Sequence, residues 1–136
     1  MRIRLLVLVV LTAGLVGSCS SPVDNECQPV GAAYSQVLRD SALLTPGAAI
    51  EDEPLATASD VPGAWYIVAK VDDSISVWVT DRDPRGDKLG HIITGNRAAQ
   101  RYSNPDFVDP PVSRSETAQA AGDPAGIAVA EECIRG

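Results

Sequence analysis

A chain of 136 residues with one Phe, two Trp and three Tyr can build one domain around a modest core of Val, Ile, Leu and Ala, but not two of ordinary size. Its 18 acidic side chains outnumber 11 basic ones, for a net charge of −7. That argues against binding nucleic acid, whose phosphates demand a basic face, and against lying flat on anionic lipid.

The chain opens Met1-Arg2-Ile3-Arg4, a short positive segment, and then runs apolar from Leu5 to Val16, with Thr12 and Gly14 interrupting. A positive start, an apolar stretch of about a dozen residues and small residues after it describe a secretory signal. The apolar run is shorter than the roughly 20 residues of an ordinary membrane span. Next comes Leu15-Val16-Gly17-Ser18-Cys19, which resembles the lipobox of bacterial lipoproteins: an aliphatic residue, two small residues and a cysteine. The resemblance covers about the first 20 residues. It implies a signal peptide over 1–18, a diacylglyceryl group on the Cys19 thiol, and a mature protein held by several acyl chains (palmitate among them) on the extracytoplasmic face of the cell membrane. One acyl chain alone binds only marginally, at about 0.8 kcal/mol per buried methylene, whereas several anchor durably. An ordinary secreted protein cut near Ser18, or an uncleaved short anchor, is the competing reading.

With 1–18 removed, two arginines are lost and no acid, so the mature chain is more acidic still, and its membrane contact is expected through the anchor alone. Residues 19–27 form the lipid-anchored leash and 28–136 a single domain. If Cys19 carries lipid, Cys27 and Cys133 are the cysteines left. Outside the cytoplasm such a pair is expected to be oxidised, tying the start of the domain to its end. Free thiols or a redox or metal pair are the alternative, which no C-x-x-C spacing supports.

Along the domain, Val30, Ala33, Tyr34, Val37 and Leu38 fall on one face of a helix, with Pro29 in its first turn and Thr45-Pro46-Gly47 as its stop. Residues 48–63 contain Pro54, Pro62 and the acidic run Glu51-Asp52-Glu53, show no periodicity, and read as a surface loop. Residues 64–71 (AWYIVAKV) read as a strand, Asp72-Asp73-Ser74 as a turn, and 75–80 (ISVWVT) as a second strand. In the second strand Ile75, Val77 and Val79 alternate with Ser76, Trp78 and Thr80, which predicts one buried face and one partly wet. A polar loop, 81–88, leads to a third strand over 89–94 and a helix over 96–102. Pro105, Pro110 and Pro111 make 104–112 irregular. Ser113-x-x-Glu116 reads as a capping box opening a short helix that ends at Gly122. Asp123-Pro124 starts a last helix with Ile127, Ala130 and Ile134 on one face and Cys133 beside them. The sum is an α+β fold: a small antiparallel sheet of about three strands, flanked by N- and C-terminal helices and clasped by one disulfide.

Several patterns invite a chemical reading. Asp81-Arg82-Asp83-Pro84-Arg85-Gly86-Asp87 places carboxylates at positions one, three and seven and glycine at six, in part like a calcium loop. The chelating glutamate expected at position twelve is Ile92, and Arg85 occupies position five. Arg85-Gly86-Asp87 spells an integrin-binding tripeptide, too short to be diagnostic. His91, the single histidine, has no thiol or second imidazole to make a zinc site, and no G-x-S-x-G elbow accompanies it. Glu51 with Glu53, Asp72 with Asp73, and Glu131 with Glu132 are paired carboxylates without the fixed separation across a cleft that glycoside hydrolysis needs. No residue is assigned a catalytic role, and no metal or cofactor is expected. Trp65, Tyr66 and Trp78 are the candidate binding surface. Cross-strand aromatics ordinarily stabilise their own sheet, but Trp65 and Trp78 facing outward together would form a recognition platform.

In general plan the domain resembles short lipoproteins of actinobacteria that combine a lipobox, two cysteines and a strand pair rich in Trp, Val and Ala. That resemblance brings no activity with it. The expectation is an envelope lipoprotein whose domain binds a protein or ligand, or serves structurally, without catalysis; a small hydrolase using His91 is the alternative.

Overall fold

The computed structural model describes residues 27–39, 43–105, 108 and 115–135. In chain order they form β1 (Gln28–Pro29), α1 (Ala32–Arg39), β2 (Leu55–Ala58), β3 (Trp65–Val71), β4 (Ser74–Thr80), β5 (Ile92–Thr94), α2 (Arg97–Tyr102), α3 (Glu116–Ala121) and α4 (Pro124–Arg135). The strands make one sheet in the order β1-β2-β3-β4-β5, every neighbouring pair antiparallel. The α+β class is as expected, but the sheet has five strands where the sequence pointed to about three. β2 lies inside the stretch read as a loop. Its Leu-Ala-Thr-Ala sequence has no strong β-formers beyond Thr57, yet it pairs along β3 from Leu55↔Val68 to Ala58↔Trp65. β1 is two residues long, too short to show any period.

Helices cover both faces of the sheet. On one side Tyr34 and Leu38 of α1, Leu43, Leu44 and Ala99 of α2 pack on Ile67, Ala69, Val71, Trp78 and Ile92. On the other, Ala120 of α3 and Ile127 and Ala130 of α4 pack on Tyr66, Val68, Val77, Val79 and Ile93. The partly wet face expected for β4 is therefore dry: Ser76, Trp78 and Thr80 are 0 % exposed. Alternation of polar and apolar residues misled here because helices cover this face too, and Thr80 and Trp78 find hydrogen-bond partners inside, while the buried Ser76 hydroxyl has none. Thr80 Oγ1 is 2.8 Å from the Tyr34 hydroxyl, and the Trp78 indole N–H donates to Ser103 Oγ at 2.7 Å.

Local signals fix the element ends. α1 starts at Ala32, two residues later than the apolar pattern suggested, since Gly31 supplies the first helical carbonyl, accepting from Ser35 N at 3.0 Å. α3 is capped by Ser115, whose Oγ accepts from Ala118 N; Ser113, proposed for that role, lies outside the described residues. The third expected strand shortens to Ile92–Thr94. Beyond it Asn96 takes over: its Oδ1 accepts from Val77 N (3.1 Å) and Ala99 N (2.9 Å), and its Nδ2 donates to Ile75 O (2.9 Å). One side chain thus caps α2 and continues the pairing of β4 past the end of β5.

The β3–β4 hairpin turns through Asp72 and Asp73, both with positive φ (45° and 68°). This is the geometry a two-residue hairpin demands, and it favours glycine at the second position. Asp73→Gly should stabilise the protein by about 0.5 kcal/mol, because the relief of a left-handed side chain outweighs the added freedom of the unfolded chain. A rise in the urea midpoint without a change in slope checks it.

Cys27 and Cys133 are joined by a disulfide, Cα–Cα 5.6 Å, spanning 106 residues of sequence. It ties the chain just before β1 to the last turns of α4.

Candidate functional site

The polar corner of the molecule is the β4–β5 loop, residues 81–91, lying against the start of α1 and the start of β3. Asp81 closes the neck of the loop, its Oδ1 accepting from His91 N at 2.8 Å. Gly90 N donates to the Tyr34 hydroxyl at 2.7 Å, so the loop returns directly onto α1. A side chain at Gly90 would overlap Asp81 Oδ1 and stand 2.9 Å from Thr80 Oγ1. At the loop's tip, Gly31 N donates to Pro84 O at 2.7 Å. A β-carbon at Gly31 would overlap Gly86 O and approach Arg85 O to 2.7 Å. Glycine lets backbone meet backbone at position 31 and lets the Asp81 and Thr80 side chains close against the chain at position 90.

Arg85 is the hub. Its Nε and Nη2 donate to the two oxygens of Asp83 at 2.9 and 2.6 Å, and Asp83 Oδ1 also accepts from Arg85 N at 3.0 Å. The guanidinium lies 4.7 Å from the centroid of the Trp65 ring, and Nη1 donates to Gln28 Oε1 at 3.1 Å. One side chain therefore joins β1, β3 and the loop through a bidentate pair and a cation–π contact. Hydrogen bonding to Arg85 holds the Asp83 carboxyl below the usual range. The pair is open to water, so it orders the loop more than it stabilises the fold.

Two shallow clefts adjoin here. One, of about 330 Å³, is lined by Asp81, Arg82, Leu89, Gly90 and His91. The other, of about 230 Å³, is lined by Arg82, Asp83, Gly86, Asp87 and Lys88. His91 is exposed at the first, beside the Asp81 carboxylate but with no serine or cysteine among the described lining residues. Among the described residues no group of three or more His, Cys, Asp or Glu is placed to hold a metal ion. The calcium-like loop instead turns its first two carboxylates onto its own N–H groups and Arg85. The arginine of the Arg85-Gly86-Asp87 tripeptide is likewise engaged by Asp83, Trp65 and Gln28.

The three aromatic residues of the candidate binding surface do not share one. Trp78 is 0 % and Tyr66 1 % exposed. The register Trp65↔Thr80 and Ile67↔Trp78 puts both tryptophans on the α1 side of the sheet, but Trp78 sits under α2 while Trp65 lies at the sheet's end beneath Arg85. Trp78 and Tyr66 instead pack in the interior, as cross-strand aromatics ordinarily do, and the alternative of an outward platform does not form because helices cover both faces of the sheet. Tyr66 points to the opposite side, its hydroxyl donating to Ala120 O at 2.9 Å in space left by Gly126. What the sequence did not disclose is Arg85 as the partner of Trp65. The two stand 20 positions apart with no local pattern linking them.

Burial pushes the Tyr66 phenol above its ordinary value, opposed by a hydrogen bond with Ser59 and aided by the negative charges of Asp123 and Asp60. The folded state thus favours the neutral phenol. Its stabilising contribution is complete below the unfolded value of about 10 and is lost as pH rises from there through the higher folded value. Between pH 9 and 11 the wild type should lose more melting temperature than Tyr66→Phe. The variant starts about 1 kcal/mol less stable for want of the bond to Ala120. Parallel losses in the two proteins would dissociate Tyr66 from the alkaline transition.

No protein family, curated protein or solved structure matches the chain.

Proposed function

We propose that the protein is a bacterial lipoprotein, acylated at Cys19 and held on the extracytoplasmic face of the membrane, whose domain is a non-enzymatic binding or structural module of the cell envelope. The observation that carries this reading is the Cys27–Cys133 disulfide. Disulfides persist in oxidising compartments, and this one occupies both cysteines beyond the lipobox, leaving Cys19 as the lipid acceptor. The positive-then-apolar N-terminus supports the same address. Among the described residues no helix is long and apolar enough to cross a membrane; in this reading attachment is through the lipid. A binding or structural role is supported by a corner built of salt-bridged, hydrogen-bonded loop rather than of a nucleophile and its base.

Metabolic labelling with an alkyne fatty acid and intact mass of the membrane fraction test the proposal. The product should begin at Cys19 and carry acyl mass, and Cys19→Ala should take up no label. A mature protein starting elsewhere, or unacylated, refutes it. The hydrolase alternative draws on the closeness of His91 to Asp81 in one cleft. It requires a hydrolytic activity that His91→Ala abolishes.

A further inference from the structure

We infer that the β4–β5 loop is the membrane-facing pole of the domain, resting Arg82, Lys88 and Leu89 against the phospholipid headgroups while the β3–β4 hairpin points away. This rests on the lipid-anchor reading and adds an orientation to it. Three observations carry it.

The first is where the chain enters. The register Gln28↔Ala56 and Ala58↔Trp65, with Trp65↔Thr80, brings Cys27 in toward the end of the sheet where β3 begins and β4 finishes. Arg85 fastens Gln28 to the loop there. The second is the leash. Eight residue steps separate Cys19 from Cys27, a reach of at most about 28 Å. The hairpin lies about 23 Å further along the sheet than the entry point, counted from Tyr66 to Asp73. Setting the hairpin on the bilayer would require the leash drawn almost straight, at a large cost in chain entropy; setting the loop there requires nothing.

The third is what the loop exposes. Acids outnumber cations at both poles, Glu116 and Asp123 lying at the loop end beside Gly63 and Tyr66, so net charge does not choose between them; the exposed side chains of the loop do. Leu89, 41 % exposed, is one of two large apolar side chains left open among the described residues. Beside Arg82 and Lys88 it makes the mixed apolar and cationic contact that suits a headgroup layer.

The chain contains two lysines, Lys88 at the loop pole and Lys70 at the hairpin pole, so one reagent reports both ends. The acylated full-length protein is placed in vesicles of phosphatidylcholine and phosphatidylglycerol, and in neutral detergent micelles, and labelled with a membrane-impermeant acetylating reagent. Peptide mass spectrometry gives the Lys88-to-Lys70 labelling ratio. The ratio should be lower in vesicles by at least about threefold. Acylated, vesicle-bound protein with an unchanged ratio, or with Lys70 shielded instead, overturns the orientation and leaves the anchor standing. Protein without acyl mass that fails to sediment with vesicles overturns both.

Discussion

Trp78→Ala should lower the unfolding free energy by about 3 to 5 kcal/mol, the usual cost of emptying a large aromatic site. Trp78 is the largest fully buried side chain among the described residues. It fills the layer between β4 and α2, and its loss leaves two defects. One is a cavity among Ile67, Leu44 and Ala99. The other is polar: Ser103 Oγ, which accepts from the indole N–H and donates to Ala99 O, loses its donor in a dry place. Trp78→Phe separates the two, keeping most of the volume while removing the N–H, and should cost about half as much. For a domain of this size the alanine variant should melt at least roughly 10 °C lower. A fall of only a degree or two would mean that α2 closes over the gap and that Trp78 does not organise that layer.

Removing the disulfide, by Cys27→Ser with Cys133→Ser or by reduction, should cost about 4 kcal/mol and lower the melting temperature by roughly 15 °C. The cross-link spans 106 residues, so it restricts almost the whole unfolded domain, and loop-closure entropy grows with the length enclosed. It also joins parts that little else holds: β1 has two residues paired to β2. The double variant should therefore lose protection at β1 first, which amide hydrogen exchange reads directly. Uniform loss of protection across the sheet would place the effect entirely in the unfolded chain.

What could be read from sequence followed how local the deciding physics is. The β3–β4 hairpin, α2 and α4 were legible because alternation, a capping residue or a helical stripe announces each within a few residues. The cysteine pair was legible by elimination, once Cys19 was assigned elsewhere. β2 was not, since Leu55-Ala56-Thr57-Ala58 owes its strand state to β3 beside it rather than to its own composition. The dry second face of the sheet was hidden for a related reason: Ser76 and Thr80 look solvent-facing until α1 and α2 close over them. The candidate site was least legible of all. Trp65 was singled out from its strand, but its contact with Arg85, and through Arg85 with Gln28, forms only when the chain folds.

The side chain of Asn96 has a bearing on how such a domain behaves when crowded. By occupying Val77 N and Ile75 O, it plugs the stretch of β4 that the three-residue β5 leaves uncovered. Open strand borders are templates on which a neighbouring polypeptide can zip up, and short or occupied ones are the natural defence. Proteins confined to a surface meet one another far more often than the same number dispersed in a volume. A carboxamide that imitates a peptide group, and so denies the next molecule a foothold, is well suited to that circumstance.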